Sequence, residues 1–518
     1  MQFSELIRRS VQVNGRGAAI VDLGNGARRS YEELACRIGQ LAASLRANGV
    51  VEGDRVAIIS ENSGHFIEAF FAIIWCGAIA VPLNFRLTNE ELTQQIDDCE
   101  PAALFISPRF VDRLDGLNKV RARLKLCVVM AESTETAATV GLGSMVDGRP
   151  EVRPFHWDHD DAAAVILYTG GTTGRPKGVM LSQKALIMNA YQSAALLGNT
   201  AGMRYAHVAP MFHIGDCAYI VAVTMHAGCH VVIPEFDPSR VVDALARERV
   251  THVALVPTMI NRLMAEPGFV GSELKWLANI IYGASTIPES LLRAALEALP
   301  GVQFGQSYGQ TETATITVLR PEAHVTSGPA MGKLRSAGQP AIGAEVAICT
   351  PDGSEAEPGE VGEITVRSQS LMSGYWRNPE ATRESVRAGR VHTGDVGYMD
   401  EQGFVYIVDR LKDMIITGGE NVSSPEVESA LHQHPAVLEC AVIGVPHAEW
   451  GEQVHAVVRL HPDAEVEEHA LIAHCRSLIA GYKCPRTIEI TADPLPLSGI
   501  GKVLKRDLRE RIARKAGC

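Results

Sequence analysis

The sequence predicts an α/β protein. A large multi-layer N-terminal domain over residues 1–410 combines two parallel-type αβ subdomains with a β-rich subdomain, and a small α+β domain follows over residues 411–518. Three observations carry that reading. From about residue 30, short apolar runs alternate with amphipathic runs, the pattern of strand–helix–strand units and parallel sheets. Past residue 335 the helical runs thin out, and Gly and Pro turns separate short strands. Beyond Arg410 the mixed rhythm returns over a length typical of one small domain.

The series opens with a strand at 56–59, a buried helix at 66–76 and a strand at 79–81. A second helix follows, opened by Thr88 with Glu91 three residues on, a capping box. Strands at 104–107 and 126–130 continue it, and the Ala-, Thr- and Gly-rich residues 132–152 read as turns. The rhythm resumes with strands at 165–168, 231–233, 253–256 and 280–282, then a helix from Pro288 whose box is Thr286 and Glu289. Strands at 346–348, 364–366 and 404–408 make the β-rich part. The last domain reads as helix 424–433, strands 439–445 and 454–459, helix 466–479, strand 487–490 and a basic tail helix.

Composition narrows the function classes. With 46% hydrophobic and 21% charged residues, the chain has the make-up of a soluble globular protein. Its 48 basic and 60 acidic residues leave a net charge of −12, which disfavours a nucleic-acid partner. The eleven cysteines are scattered, and Cys76, Cys127 and Cys440 sit in apolar runs, as expected of thiols in a reducing cytoplasm. The most apolar stretch, 69–83, is shorter than the ~20 residues of a membrane span. No export signal is visible, and Cys518 does not sit where prenylation requires it.

The most informative segment is Tyr168-Thr-Gly-Gly-Thr-Thr-Gly-Arg-Pro-Lys177-Gly-Val-Met-Leu-Ser182, read as a glycine and hydroxyl loop after an apolar strand and before a helix capped by Ser182. Glycines let consecutive N–H groups converge on an anion, while threonine hydroxyls and a lysine add donors and charge. The loop is no Walker A motif, because Arg175 rather than a lysine follows Gly174.

This loop resembles the phosphate-binding signature of the adenylate-forming superfamily, which holds acyl-CoA synthetases, peptide-synthetase adenylation domains and luciferases. Further blocks resemble the same family in the same order. Tyr308-Gly-Gln-Thr-Glu312 is similar to its aromatic-Gly-x-Thr-Glu block, His392-Thr-Gly-Asp395 to its ribose block, Asp409-Arg410-Leu-Lys412-Asp413 to its hinge, and Pro496-Leu-Ser-Gly-Ile-Gly501-Lys502 to its C-terminal lysine loop. Ile500 departs from the usual Thr-Gly-Lys spelling without altering the lysine's spacing.

The resemblance implies an ATP-dependent acyl-CoA synthetase with a mobile C-terminal domain, using ATP, Mg²⁺ and coenzyme A on a small-molecule carboxylic acid. A homodimer is compatible with it. Thr169, Gly170, Gly171, Thr172, Thr173 and Lys177 would surround the β- and γ-phosphates, and Glu312 and Thr169 would offer oxygens to Mg²⁺. Tyr308 would stack on adenine against Gly283, Ala284 and Ser285, with Gly309 and Thr311 beside it. Asp395 would accept from both ribose hydroxyls, and Arg410 would donate to the same sugar. Lys502 would reach the α-phosphate late, after rotation about Lys412. In the second half-reaction Gly418 and Gly419 would let pantetheine pass close to main chain.

The acyl pocket would be lined by His213, Ile214, Gly215, Ala218, Tyr282 and Gly283, with His213 beside the acyl and CoA path and counted with Lys502, Glu312, Thr169 and Lys177 among the catalytic residues. Its small residues leave volume for a medium- or long-chain fatty acid or a bulky aryl or alicyclic acid rather than acetate. Asp216 sits awkwardly in that run, since a buried unpaired carboxylate is costly; it is expected to meet solvent or a polar substituent.

Read in isolation, each residue has a plainer alternative. The loop is then a flexible turn, Glu312 a helix first-turn carboxylate, Tyr308 and His213 core residues, Gly394-Asp395 a turn, Lys502 a solvated tail lysine and Gly418-Gly419 an ordinary hairpin turn. Two rival functions share the sequence. Gly305-Gln-Ser307-Tyr-Gly309 satisfies the G-x-S-x-G elbow of serine esterases, with Asp395 and His432 as nominal partners. A freestanding adenylation enzyme that loads a carrier protein would use the same ATP chemistry.

Overall fold

Runs of β-branched and apolar residues build two mainly parallel sheets, and the helices between them supply the largest core. The computed structural model describes residues 2–117, 122–133, 139–149, 151–157, 159, 161–169, 176–198, 202–325, 332–411, 413–447, 449–462, 464–497 and 503–516. The first sheet runs, edge to edge, through Gln339–Pro340, Ala314–Leu319, Gln303–Gln310, Asn279–Gly283, His252–Leu255, Arg204–His207, Cys229–Val232, Ala18–Asp22 and Arg28–Ser30. The second runs through Gly374–Tyr375, Lys177–Ser182, Ala163–Thr169, Ile79–Leu83, Arg55–Ile59, Ala103–Ile106, Leu126–Val129 and Val140–Gly141.

The helices Phe3–Asn14, Tyr31–Ala47, Gly64–Trp75, Gln183–Leu197 and Ile214–Met225 contribute to one apolar cluster with residues of both sheets. Gly64–Trp75 is buried along nearly its whole length, as its apolar composition requires. The outer face of each sheet carries its own cluster, one around Val253, Leu292 and Phe304, the other around Ile59, Leu92 and Leu104. The expected multi-layer α/β architecture is borne out.

A third sheet holds Ala344–Cys349, Gly362–Ser368, Arg390–Met399, Val386–Arg387 and Val405–Arg410. A fourth holds Glu420–Val422, Ile415–Thr417, Gly451–Leu460, Val437–His447 and Thr487–Thr491, with Ser424–His432, Glu468–Leu478 and Lys505–Ala516 as its helices. Among the described residues no helix is long and apolar enough to cross a membrane.

Four local expectations need correction. The Thr88/Glu91 box forms, but the Thr286/Glu289 box does not: the helix starts at Glu289 after Pro288, and the Glu289 carboxylate is drawn instead to Arg293 and Arg335. Residues 132–152 are not all turn, because Val140–Gly141 extends the second sheet and Leu142–Val146 is helical. The phosphate-loop segment leads into a strand rather than a helix: Lys177–Ser182 pairs antiparallel with Ala163–Thr169 before Ser182 caps the helix. The helix N-terminus therefore lies a strand's length from the loop. Ser307 sits within the continuous strand Gln303–Gln310, not on a strand-to-helix turn, and its hydroxyl meets Thr315 Oγ1 at 3.2 Å. That removes the geometry of a nucleophile elbow.

Candidate active site

Three sheets meet around the hairpin formed by Gln303–Gln310 and Ala314–Leu319. A Cβ at Gly309 would lie 1.7 Å from Ala314 O, so the tight hairpin demands glycine there. The connecting residues carry Thr311 and Glu312, so Glu312 sits at a hairpin tip and not in a helix first turn.

At that tip, Glu312 Oε1 accepts the Tyr375 hydroxyl at 2.9 Å, and the Glu312 carbonyl accepts Met372 N–H at 2.9 Å. Tyr375 belongs to the edge strand of the second sheet and pairs opposite Val179, in the strand that begins at Lys177. The Lys177 ammonium lies 5.1 Å from the Tyr375 ring centroid, a cation–π contact. Lys177 and Glu312, far apart in sequence, thus reach one tyrosine. Thr169 is placed opposite Lys177 in the hairpin, its hydroxyl 3.4 Å from Lys177 O. One strand residue before it, Tyr168 donates to Asp98 Oδ2 at 2.5 Å and fixes the entry to the loop.

The other side of the hairpin faces the third sheet. Asp395, nearly buried, accepts the Tyr308 hydroxyl and Gln310 Nε2 on Oδ2, each at 2.7 Å, and meets Arg410 Nε on Oδ1 at 3.0 Å. Burial and the Asp395 charge push the Tyr308 phenol well up, so it remains an O–H donor. A carboxylate offers about four acceptor sites, and three donors already face this one. Both ribose hydroxyls fit only if a donor leaves, and Arg410, whose side chain is 38% exposed, is the one free to swing.

Gly283 ends the strand Asn279–Gly283, and Ala284 follows in the left-handed region at φ 66° with Ser285 partly covered. Tyr282 is fully buried in the core behind the first sheet, its hydroxyl 2.9 Å from His324 Nε2. His213 precedes the helix Ile214–Met225 and packs on Phe212. Its Nε2 is sealed from solvent with no hydrogen-bond partner among the described residues, and burial with the nearby Arg86 charge lowers the ring's pKa to about 3. Beside it, a Cβ at Gly215 would meet nothing within 4 Å, and Ala218 is 8% exposed.

Asp216 departs from expectation. It is fully buried and partnered: Tyr205 donates to Oδ1 at 3.0 Å and His207 Nδ1 lies 2.7 Å from Oδ2. The chain continues from His207 Nε2 to His230 Nδ1 at 2.9 Å and from His230 Nε2 to Thr224 at 3.1 Å. Tyr205, His207 and His230 come from two adjacent strands of the first sheet and Thr224 from the helix itself, so the carboxylate faces the sheet and the chain of side chains ties the helix to it.

Gly418 and Gly419, at φ 59° and 85°, form the two-residue turn of the hairpin Ile415–Thr417 and Glu420–Val422. Gly418 N–H donates to Trp450 O, and a Cβ at Gly419 would meet nothing within 4 Å. Gly170, Gly171, Thr172, Thr173, Lys412 and Lys502 lie outside the described residues. The flanks of the last two are described. Asp413 pairs with Arg509 at 2.9 Å, and Leu497 bridges Val503 at the base of the lysine loop.

The sequence reading missed Tyr375 and Gln310. Gln310 lies inside the quoted block and its amide was the available signal. Tyr375 offered only an aromatic pair, Tyr375-Trp376, in a Gly- and Ser-rich stretch.

Comparison with known proteins decides the family. A model described as AMP-binding enzyme matches residues 7–376, and one described as AMP-binding enzyme C-terminal domain matches residues 426–502. The chain belongs to the AMP-binding enzyme family. This AMP-binding enzyme is 38% identical to a feruloyl-CoA synthase of Amycolatopsis sp and 35% identical to an indoleacetate–CoA ligase of Aromatoleum aromaticum, each alignment covering 94% of both chains. Its fold is similar to that of ATP-bound MatB from Rhodopseudomonas palustris, with a TM-score of 0.88, 31% identity and 99% of both chains covered. The expected membership of the adenylate-forming superfamily, in its acyl-CoA synthetase branch, is borne out.

Proposed function

We propose that this AMP-binding enzyme is an ATP-dependent acyl-CoA synthetase for a bulky carboxylic acid, working as two domains that divide at about residue 410. The observation that carries the reading is the surroundings of the hairpin tip: on one side Glu312 and Lys177 of the second sheet reach one tyrosine, and on the other the buried Asp395 of the third sheet is flanked by Tyr308, Gln310 and Arg410. A nucleotide laid across it would meet phosphate-seeking groups at one end and hydroxyl-seeking groups at the other.

In the first half-reaction a substrate carboxylate oxygen attacks the α-phosphorus. The bond to the bridging oxygen breaks and pyrophosphate leaves with the electron pair, giving acyl-AMP. Lys177 and the glycine and threonine loop hold the departing phosphates, and Lys502 steadies the charge on the α-phosphate. In the second, the CoA sulfur attacks the acyl carbonyl, the bond to AMP breaks, and the thiol proton passes to solvent. Gly418 and Gly419 form the tip along which the thiol arm would pass.

Glu312 keeps Oε2 without a hydrogen bond among the described residues and would hold Mg²⁺ with Thr169, a fit for a cation bound by one or two carboxylates plus substrate phosphates. Mg²⁺ would neutralise polyphosphate charge there. Open space at Gly215 and the two relatives named for aromatic acids support an aryl or arylalkanoic substrate over acetate. Separate buried thiols suit a reducing cytoplasm.

The test is pyrophosphate release across aryl, arylalkanoic, fatty and acetic acids, with and without CoA. Release with aryl acids and CoA, with acyl-CoA as product, is expected. Activity confined to acetate would overturn the substrate class.

A further inference from the structure

Lys177 and Glu312 carry opposite charges and touch the same side chain, yet no ion pair joins them. The ammonium faces the ring of Tyr375 and the carboxylate takes its hydroxyl. Tyr375 is held firmly in that place. It pairs opposite Val179, its N–H donates to Thr382 Oγ1 at 2.9 Å, and it is only 7% exposed.

We propose that Tyr375 is a positioning residue that separates the loop lysine from the cation-binding glutamate. Without it, a direct ion pair would neutralise both groups and would have to break before polyphosphate could bind. A cation over a ring is held more weakly than a cation against a carboxylate, so Lys177 stays available to phosphate. The hydroxyl meanwhile fixes Glu312 through Oε1 and leaves Oε2 for a divalent ion. The inference rests on the ATP-binding reading above and deepens it.

The experiment is calorimetric ATP binding to the full chain, with EDTA and then with graded Mg²⁺. In EDTA, Tyr375→Leu should weaken ATP binding about tenfold, the scale of one good cation contact. Adding Glu312→Gln to Tyr375→Leu removes the competing anion, and affinity should return to within about twofold of Glu312→Gln alone. Packing loss cannot give that rescue, since both variants share the same truncated side chain. Tyr375→Phe keeps the ring and the fill; it should bind ATP normally in EDTA but need at least about tenfold more Mg²⁺ for its half-maximal effect, the scale of one hydrogen bond to a charged group. Wild-type affinity in Tyr375→Leu, or no rescue in the double variant, would overturn the separating role. Unchanged Mg²⁺ dependence in Tyr375→Phe would overturn the positioning of Glu312, and this arm stands even if the leucine variant does not fold. Failure of the wild-type chain to bind ATP would instead sink the underlying reading.

Discussion

His213 shows how burial limits what a side chain can do. Its ordinary pKa of 6.5 falls to about 3 because the ring is desolvated and Arg86 lies nearby. The unfolded chain takes up a proton as pH drops through 6.5, whereas the folded chain refuses it until about 3. Stability is therefore lost across that window, and His213→Phe should show a smaller fall in urea midpoint between neutral and mildly acidic buffer than the wild-type chain. An equal fall would mean the ring is not buried as a neutral base. The neutral ring also suits a wall beside an acyl chain better than an acid catalyst. Asp216 makes the opposite case, a buried carboxylate with partners. Asp216→Leu should cost on the order of 3–5 kcal/mol, because removing one member strands His207 in the core. Denaturant unfolding measures it, and a loss below about 1 kcal/mol, the usual net worth of one neutral hydrogen bond, would show that the chain of side chains contributes little.

The strands and helices were largely legible because apolar periodicity reports burial, and burial organises both sheets. What escaped depended on partners distant in sequence. Lys177–Ser182 is short and mixed, so the glycine loop read as running into a helix, although pairing with Ala163–Thr169 makes it a hairpin. Asp216 read as unpaired because His207 and His230 are brought to it only by strand neighbours. Gly374–Tyr375 has two residues, too few for any period, yet it delivers the tyrosine that both Lys177 and Glu312 contact. The phosphate loop stood out through its glycine and hydroxyl spacing and the other blocks through family resemblance, and the structure brings Lys177 and Glu312 to one tyrosine and Tyr308 near Asp395 and Arg410. The hairpin turn at Gly418-Gly419 carries its own expectation. Gly419→Leu at a positive φ would place a bulky side chain on an open tip. Thioester formation from supplied acyl-AMP should fall at least about tenfold, the usual effect of misplacing a reactant path, while acyl-AMP formation persists. Loss of acyl-AMP formation with thioester transfer intact would refute the channel.

Across the whole molecule, the fourth sheet and its helices are tied to the third sheet through a few polar contacts around Asp409. Its Oδ2 accepts Ser424 N–H and Oγ at 2.7 and 2.8 Å, and Lys505 reaches Ser424 and Glu428. Together with Arg509 and Asp413, these contacts hold the last helix, which follows the Lys502 loop, against the segment around Lys412. Among the described residues these polar contacts are exchangeable, as the proposed rotation of the C-terminal domain would require. Lys502→Ala should slow acyl-AMP formation by roughly a hundredfold or more, as loss of a charge-stabilising donor does, and spare thioester formation from supplied acyl-AMP. Equal loss in both steps would remove Lys502 from adenylation. The decisive assay is isotope exchange between pyrophosphate and ATP, run without CoA. Exchange that appears only when a bulky carboxylic acid is added, and that vanishes in Glu312→Ala, is the expected result; no acid-dependent exchange, or exchange that requires CoA, would contradict adenylation at this hairpin.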